Sequence, residues 1–381
     1  MAAVCVDMLY MHYAGEDGTV SIGGVQSYIQ ELAALLAEMG VSVRICQFAK
    51  RPFSLQIAER IRVEGFAIPE GKPAARYQKL HNEAFRTRGE GFAFTLFATD
   101  NIIPKHLHGR CMAIQHGIGW DIPRNSSGRP LLRQFLARCR GSLQIIRRIR
   151  SVDQVVCVDY NFLNWYRTQV DVPENRLSVI SNYARISPRT EKPEGTVNII
   201  FARRLFDYRG TRVFTEAVKP LLNSHGNLRV TVAGTGPDEN WMKEQLAGYE
   251  SVNFTRYEAS QTAQMHRDQH IAVVPTIGSE GTSLSLLEAM AAGCAVVCSD
   301  VGGMTQIVTD GYNGRMVPAG DVEALRSAID ELICDAERRK TLAENGYRTV
   351  KCAYSYERWR AQWKKVLDDM MKQSMGDPCE E

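Results

Sequence analysis

Short runs of small and β-branched apolar residues recur along the chain. Each ends in a glycine or polar turn and leads into a stretch with apolar residues at helical spacing. Ala3–Asp7, Val41–Ile45, Phe92–Ala98, Cys111–Gln115 and Asp153–Val158 form one series. Val197–Ala202, Leu228–Ala233, Val252–Phe254, Ile271–Pro275 and Ala295–Cys298 form a second. Runs of this kind read as strands covered on both faces by helices, the habit of a parallel sheet. The first unit shows the pattern. A glycine-rich loop from Gly15 to Gly24 follows the first strand. Gln26–Met39 then carries Tyr28, Ile29, Leu32, Leu35, Leu36 and Met39 on one helical face. Gly40 closes the helix and the next strand begins, which completes a βαβ unit. The loop lacks the Gly-x-Gly-x-x-Gly of a dinucleotide fold. The expected class is α/β. Polar residues 185–196, with Pro188 and Pro193, are the expected linker between a lobe at 1–184 and one at 197–353. A chain of 381 residues suits two domains.

One stretch carries the most chemistry: Glu280-Gly-Thr-Ser-Leu-Ser-Leu-Leu-Glu288. It follows strand Ile271–Pro275. Gly278 and Gly281 bracket the first acid as a turn, and Thr282 or Ser283 can cap a helix through Leu284, Leu287, Ala291 and Ala292. At ~1.5 Å per residue the two acids lie ~12 Å apart. That length suits a ligand with a sugar at one end, a ribose at the other and a diphosphate between, facing the free N–H groups of the first turn. Acids near a helix start are often plain solvated charges. Glu288 is different, because Leu286, Leu287, Ala289, Met290, Ala291 and Ala292 leave it no polar face, and a carboxylate so placed needs a partner.

Other candidates sit at strand ends, where α/β sheets place their ligands. His116 follows strand Cys111–Gln115; a lone histidine there is either structural or a ligand contact. Gly23 and Gly24 are either turn residues or a close approach for phosphate. Arg204 and Arg209, before a helix start, suit a diphosphate clamp, though surface arginines are common. Gly234-Thr-Gly236 is weak evidence alone.

The Glu-x7-Glu pattern, with Ala289-Met-Ala-Ala-Gly293 and Asp300-Val-Gly-Gly303 after it, resembles the donor half of retaining GT-B glycosyltransferases of family 4. The resemblance spans nearly the whole chain. It implies two Rossmann-like lobes facing a central cleft, with a last helix, 354–375, folded back onto the first lobe. It implies that Glu280 contacts the transferred sugar and Glu288 the ribose hydroxyls. Gly23 and Gly24 would meet the diphosphate and acceptor, and His116, with Asp121 as a further candidate, would line the sugar site. Arg204 maps onto the arginine of the family's Gly-Arg-Leu motif. Arg203 replaces its glycine, and Arg209 stands for the lysine of the following Lys-Gly. Gly236 borders the nucleotide, Tyr257 lies near the base, and Gly281, Thr282, Ser283 and Leu284 face the diphosphate. The implied activity is hexosyl transfer from a UDP- or GDP-sugar to a glycan or lipid-linked glycan, with retention, in surface polysaccharide or lipopolysaccharide synthesis. Two alternatives are a silent nucleotide-sugar-binding subunit and a GT-B-fold epimerase.

The chain contains no Asp-x-Asp, so no metal or other cofactor is expected, and leaving-group charge falls to Arg204, Arg209 and the helix N-terminus. Net charge is only +3, and no nucleic acid is expected. Ten scattered cysteines lack zinc spacing, and Cys5, Cys111, Cys157 and Cys298 read as buried thiols of a cytoplasmic protein. Asp7 interrupts the first apolar run, which argues against a signal peptide. No uncharged apolar run nears the ~20 residues of a membrane span. Residues 124–150 stand out, with eight arginines and no acid. Leu132, Phe135, Leu136, Cys139, Leu143, Ile146 and Ile149 form a stripe along one helix, or a pair broken at Gly141. The stretch is either a surface helix packed on the core, or a patch in which Arg133, Arg140, Arg147 and Arg148 meet an anionic acceptor or the inner face of a membrane.

Overall fold

The computed structural model describes residues 4–376 except 21–22, 119–129, 172, 174–175, 187, 189 and 279. Asp121 and Arg124 lie outside the described residues. The first lobe runs β1 (Cys5–Leu9), α1 (Gly24–Glu38), β2 (Ser42–Phe48), β3 (Phe53–Ala58), β4 (Ile61–Phe66), α2 (Pro73–Arg86), β5 (Phe92–Phe97), β6 (Cys111–Gln115), α3 (Leu131–Ser151), β7 (Gln154–Cys157), α4 (Tyr160–Arg167) and β8 (Leu177–Val179). Its sheet has the order β3-β4-β2-β1-β5-β6-β7-β8, parallel throughout except for the β3–β4 hairpin. Within this lobe Asp7 of β1 stands in register with Arg44 of β2. The two make a buried bidentate pair, Nη2–Oδ2 2.6 Å and Nε–Oδ1 2.8 Å. An acid in an apolar strand is thus paired across the sheet.

The second lobe runs β9 (Val197–Ala202), α5 (Thr211–Ser224), β10 (Leu228–Ala233), α6 (Glu239–Gln245), β11 (Val252–Thr255), α7 (Thr262–Arg267), β12 (Ile271–Val274), α8 (Leu284–Ala291), β13 (Ala295–Ser299), β14 (Arg315–Val317), α9 (Val322–Cys334) and α10 (Ala336–Ala353). Its sheet, β11-β10-β9-β12-β13-β14, is wholly parallel. The chain order reverses between β9 and β12, which makes their carboxyl ends the switch point where such sheets bind ligands. The last helix, α11 (Tyr356–Gly376), leaves the second lobe. Its Trp359, Trp363, Leu367, Met370 and Met371 are buried with Val6, Met8, Tyr28 and Ile29 of the first-lobe core. The crossover lies beside the linker, where Ala184 N donates to Tyr354 O.

The structure supplies residues 50–90, decides between the two readings of α3 and corrects Cys5. Residues 50–90, unreadable in sequence, form β3, β4 and α2. Strand β4 buries Ile61, Val63 and Gly65, while Arg62 is exposed and Glu64 is half-buried against Arg44 Nη1 at 3.1 Å, so its charges mask a half-buried strand. Helix α3 runs unbroken through Gly141. Cys5 is half-buried rather than buried, unlike Cys111, Cys157 and Cys298. Among the described residues, no helix is long and apolar enough to cross a membrane.

Candidate active site

The carboxyl ends of both sheets meet in a seam. Gly117, after β6, lies against Gly281 at φ 103, and a Cβ there would come 2.9 Å from the Gly281 backbone. A Cβ on Gly281 would stand 2.8 Å from His116 O. Only glycines allow this approach. Beside them the Thr282 hydroxyl donates to Val158 O, and Asn182 Nδ2 donates to Thr282 O at 2.6 Å. Gln306 accepts from Tyr160 N at 2.8 Å. Gly24, at the start of α1, faces Leu284 at the start of α8, and Gly23 is its N-cap. The seam therefore brings His116, Gly23, Gly24 and Gly281–Leu284 together from distant parts of the chain.

Glu280 lies at the switch point. Gly303 N donates to its carbonyl at 2.7 Å, and Gly302, at φ 54, packs against the same oxygen. Its carboxylate is fully engaged. Oε1 receives Arg209 Nη1 at 2.6 Å and Ser283 Oγ at 3.0 Å; Oε2 receives Arg203 Nη2 at 2.9 Å and Thr276 Oγ1 at 2.7 Å. Burial would raise its pKa, but the two guanidiniums outweigh that and hold it at about 2. Ser283 precedes α8 but makes no side-chain cap, because its hydroxyl is spent on Glu280 and that of Thr282 on the seam. The expected capping is thus corrected. Among the described residues, the first-turn N–H groups of α8 keep no side-chain partner, which suits an anionic ligand. Only residues 284–288 follow a helical rise, since Glu280 precedes the helix by four residues.

Sequence reasoning missed Arg203. It read Arg204 and Arg209 as a diphosphate clamp, yet the guanidinium beside Thr276 and Glu280 belongs to Arg203 and Arg209. Arg204 is exposed at the rim, 5.6 Å from the Phe206 ring, with Nη2 3.5 Å from the Tyr208 hydroxyl. A charged residue as the last step of a buried strand was the available signal. Gly234 and Gly236 have a structural role here. A Cβ on them would meet Arg203 O at 2.0 Å and Leu205 O at 2.2 Å, so this loop underpins the arginine segment.

Glu288 occupies the fifth position of α8. Burial pushes its carboxyl up to about 7. No hydrogen-bond donor reaches it among the described residues. Tyr257 packs beside this cluster, and burial, with Glu288 as a second cause, raises its hydroxyl. Arg256 turns away to Glu239 at 3.2 Å. His116 Nε2 lies 2.9 Å from Ala98 O. A carbonyl only accepts, so Nε2 carries the proton. Burial lowers the ring to about 4, which leaves it neutral with Nδ1 as an acceptor. Tyr28 packs edge-on at 5.4 Å and accepts from Trp359 and Trp363 of α11. Asp159, also missed, caps α4 by accepting from Phe162 N at 2.7 Å. Its Oδ2 is buried at the seam with no partner among the described residues.

The basic patch is not part of this cluster. Arg133, Arg140 and Arg147 are exposed on α3 of the first lobe, and Arg148 is half-buried near Asp100. The stripe divides. Ile145 and Ile149 enter the core, whereas Leu131, Leu132, Phe135, Leu136 and Leu143 are 56–77 % exposed. Among the described residues, one group with metal-ligand chemistry is His225, Asp330 and Cys334. It lies beyond the last turn of α5, ~20 Å from the switch point at ~1.5 Å per residue.

Residues 182–349 match the family model of glycosyl transferases group 1. The chain is 26 % identical to D-inositol 3-phosphate glycosyltransferase of Corynebacterium glutamicum (strain R), covering 96 % of each chain. It is 29 % identical to phosphatidyl-myo-inositol mannosyltransferase of Mycobacterium leprae (strain TN), covering 92 % of each. Sucrose-phosphate synthase of Thermosynechococcus elongatus superposes with a TM-score of 0.79 at 17 % identity, over 97 % of this chain and 100 % of that one. HepE of Anabaena in complex with UDP-glucose superposes with a TM-score of 0.70 at 16 % identity, over 96 % and 99 %. Residues 182–349 are thus similar to the group 1 glycosyl transferases, and the chain as a whole has the GT-B fold of two facing α/β lobes.

Proposed function

We propose that the protein transfers a hexosyl unit, with retention, from a UDP- or GDP-sugar to a hydroxyl of a glycan or lipid-linked glycan, without a metal ion. The observation that carries this reading is Glu288, a half-buried carboxylate that no donor reaches among the described residues, one helix turn below the first-turn N–H groups of α8. A ribose diol supplies the two donors it lacks. Glu280 orients the sugar and tolerates its developing positive charge. His116 Nδ1 accepts from a sugar hydroxyl. Arg204, Arg209 and the α8 N-terminus meet the leaving diphosphate; losing one such donor can cost ~10²–10³ in rate. The leaving phosphate oxygen takes the acceptor proton in a front-face attack.

The reading is tested by thermal shift with UDP-, GDP-, ADP- and TDP-sugars, with and without EDTA. A ligand at ~100 times its Kd adds ~2.7 kcal/mol. Stabilisation by one base only, insensitive to EDTA and lost in Glu288→Ala, supports it. No stabilisation by any of the four counts against the donor site.

The acceptor belongs to the same proposal. Exposed leucines and Phe135 beside Arg133, Arg140 and Arg147 fit an anionic lipid surface, and two relatives are named for inositol-phosphate chemistry. The protein then works at the inner face of the cell membrane, in surface polysaccharide or lipopolysaccharide synthesis. Sedimentation with vesicles containing anionic lipid checks this. Replacing Leu132, Phe135 and Leu136 by Ser is expected to release the protein, and equal binding would assign α3 to another role.

A further inference from the structure

Two guanidiniums converge on Glu280, and they are not equivalent. The Arg203 side chain is 4 % exposed and that of Arg209 is 20 %. Arg203 is anchored at both ends. Its N–H donates to Ala233 O, Nη1 donates to Thr276 Oγ1 at 2.6 Å, and Nη2 reaches both carboxylate oxygens. Arg209 makes one contact with the carboxylate, from a single 3-10 turn, Asp207–Arg209, at the rim. The remaining groups facing Glu280 are Thr276, Ser283 and, from β13, the buried Cys298 thiol; Tyr208 stands beside the arginines. A diphosphate arriving at the switch point competes for cations. Arg209 is the one placed to turn toward it. Without a second cation, that turn would strand an enclosed carboxylate, which is costly.

We propose that Arg203 is a positioning residue, which keeps Glu280 charged and in place while Arg209 passes from Glu280 to the diphosphate of the donor. The proposal rests on the donor-site reading above. It assigns the two arginines different tasks. Arg209 acts on the ligand, and Arg203 acts through Glu280.

The test is calorimetric titration of UDP and of GDP into the full chain at pH 6, in buffers of different ionisation heat, to count protons taken up. In Arg203→Met, the departing Arg209 leaves Glu280 unpaired, so uptake should exceed wild type by about half a proton or more. The excess should vanish in Arg203→Met/Glu280→Gln. Arg203→Lys should restore the wild-type count, and it serves if the Met variant folds poorly. Arg209→Met should weaken nucleotide binding at least about tenfold with a wild-type proton count. Equal counts in wild type and Arg203→Met overturn the proposal, as does an excess that survives without Glu280.

A nucleotide-free arm separates this from the donor-site reading. Glu280 is held at about 2 against an ordinary 4.5, so its stabilising contribution is present above that ordinary value and lost as pH falls toward 2. Arg203→Met should move acid unfolding to higher pH by more than Arg209→Met does. Equal shifts overturn the proposal. A larger shift for Arg203→Met, together with no binding of UDP or GDP to wild type, removes the donor-site reading but leaves the Arg203–Glu280 pairing standing.

Discussion

At the scale of single residues, the site sets two carboxylates against each other. Glu280 has two cations and stays ionised; Glu288 has none among the described residues, and burial pushes it up to about 7. Between its ordinary 4.5 and about 7, the native chain holds a proton on Glu288 that the unfolded chain has released. Stability from this group therefore falls as pH rises through that window. Glu288→Gln should melt higher than wild type at pH 8, with the advantage gone at pH 4. The same variant should bind UDP or GDP more weakly, because an amide accepts from one oxygen only. Melting curves across pH check both signs. His116 shows the opposite sign. Its ring is lowered from 6.5 to about 4, so the stability it supports is present above 6.5 and lost as pH falls toward 4.

At the scale of elements, sheet register decides which charges meet. Asp7 and Arg44 pair because β1 and β2 are parallel with those residues opposite. Asp7→Ala removes the bidentate partner of the buried Arg44 guanidinium and leaves it Glu64 at 3.1 Å, so urea unfolding should show a loss of ~2–3 kcal/mol, and the double variant Asp7→Ala/Glu64→Ala a larger one. Close backbone approach is the second device. Gly302 bears on the Glu280 carbonyl at φ 54, where an added Cβ would stand 2.0 Å away. Gly302→Ala should displace Glu280 and lower kcat by more than it lowers the melting temperature. A fall in melting temperature alone, with kcat kept, would mean that the loop adjusts elsewhere.

For the whole molecule, the working unit is the seam between lobes, and α11 ties the ends of the chain into it. Trp359 and Trp363 donate to Tyr28, whose ring packs on His116. A helix at the end of the sequence thus supports a residue of the cleft. Gly281→Ala should hold the lobes apart, because its Cβ would meet His116 O. A larger radius of gyration by small-angle scattering, with lower kcat/KM and a nearly unchanged melting temperature, is the expected outcome.

Much of this was legible in order along the chain. The strands at Val197–Ala202 and Cys111–Gln115 were readable because covered parallel strands are largely apolar on both faces, and Leu228–Ala233 because Leu228, Val230 and Val232 alternate with Arg229 and Thr231. Strand β4 was not, because one face carries the charged Arg62 and Glu64, and the partner of Glu64, Arg44, comes from another strand. Glu280 and Glu288 were visible as acids in apolar company, which is a local property. Their unequal partners were not, because Arg203 arrives from the end of β9 and Ser283 from the turn, while among the described residues no donor reaches Glu288. Arg204 and Arg203 are neighbours in sequence, and only strand geometry decides which one points inward. Local composition and periodicity therefore determined the class of fold and the stretch that carries the chemistry. Charge state, the choice between adjacent arginines and the closed seam were decided by tertiary structure, because desolvation and ion pairing depend on what is brought near, not on what lies next in the chain.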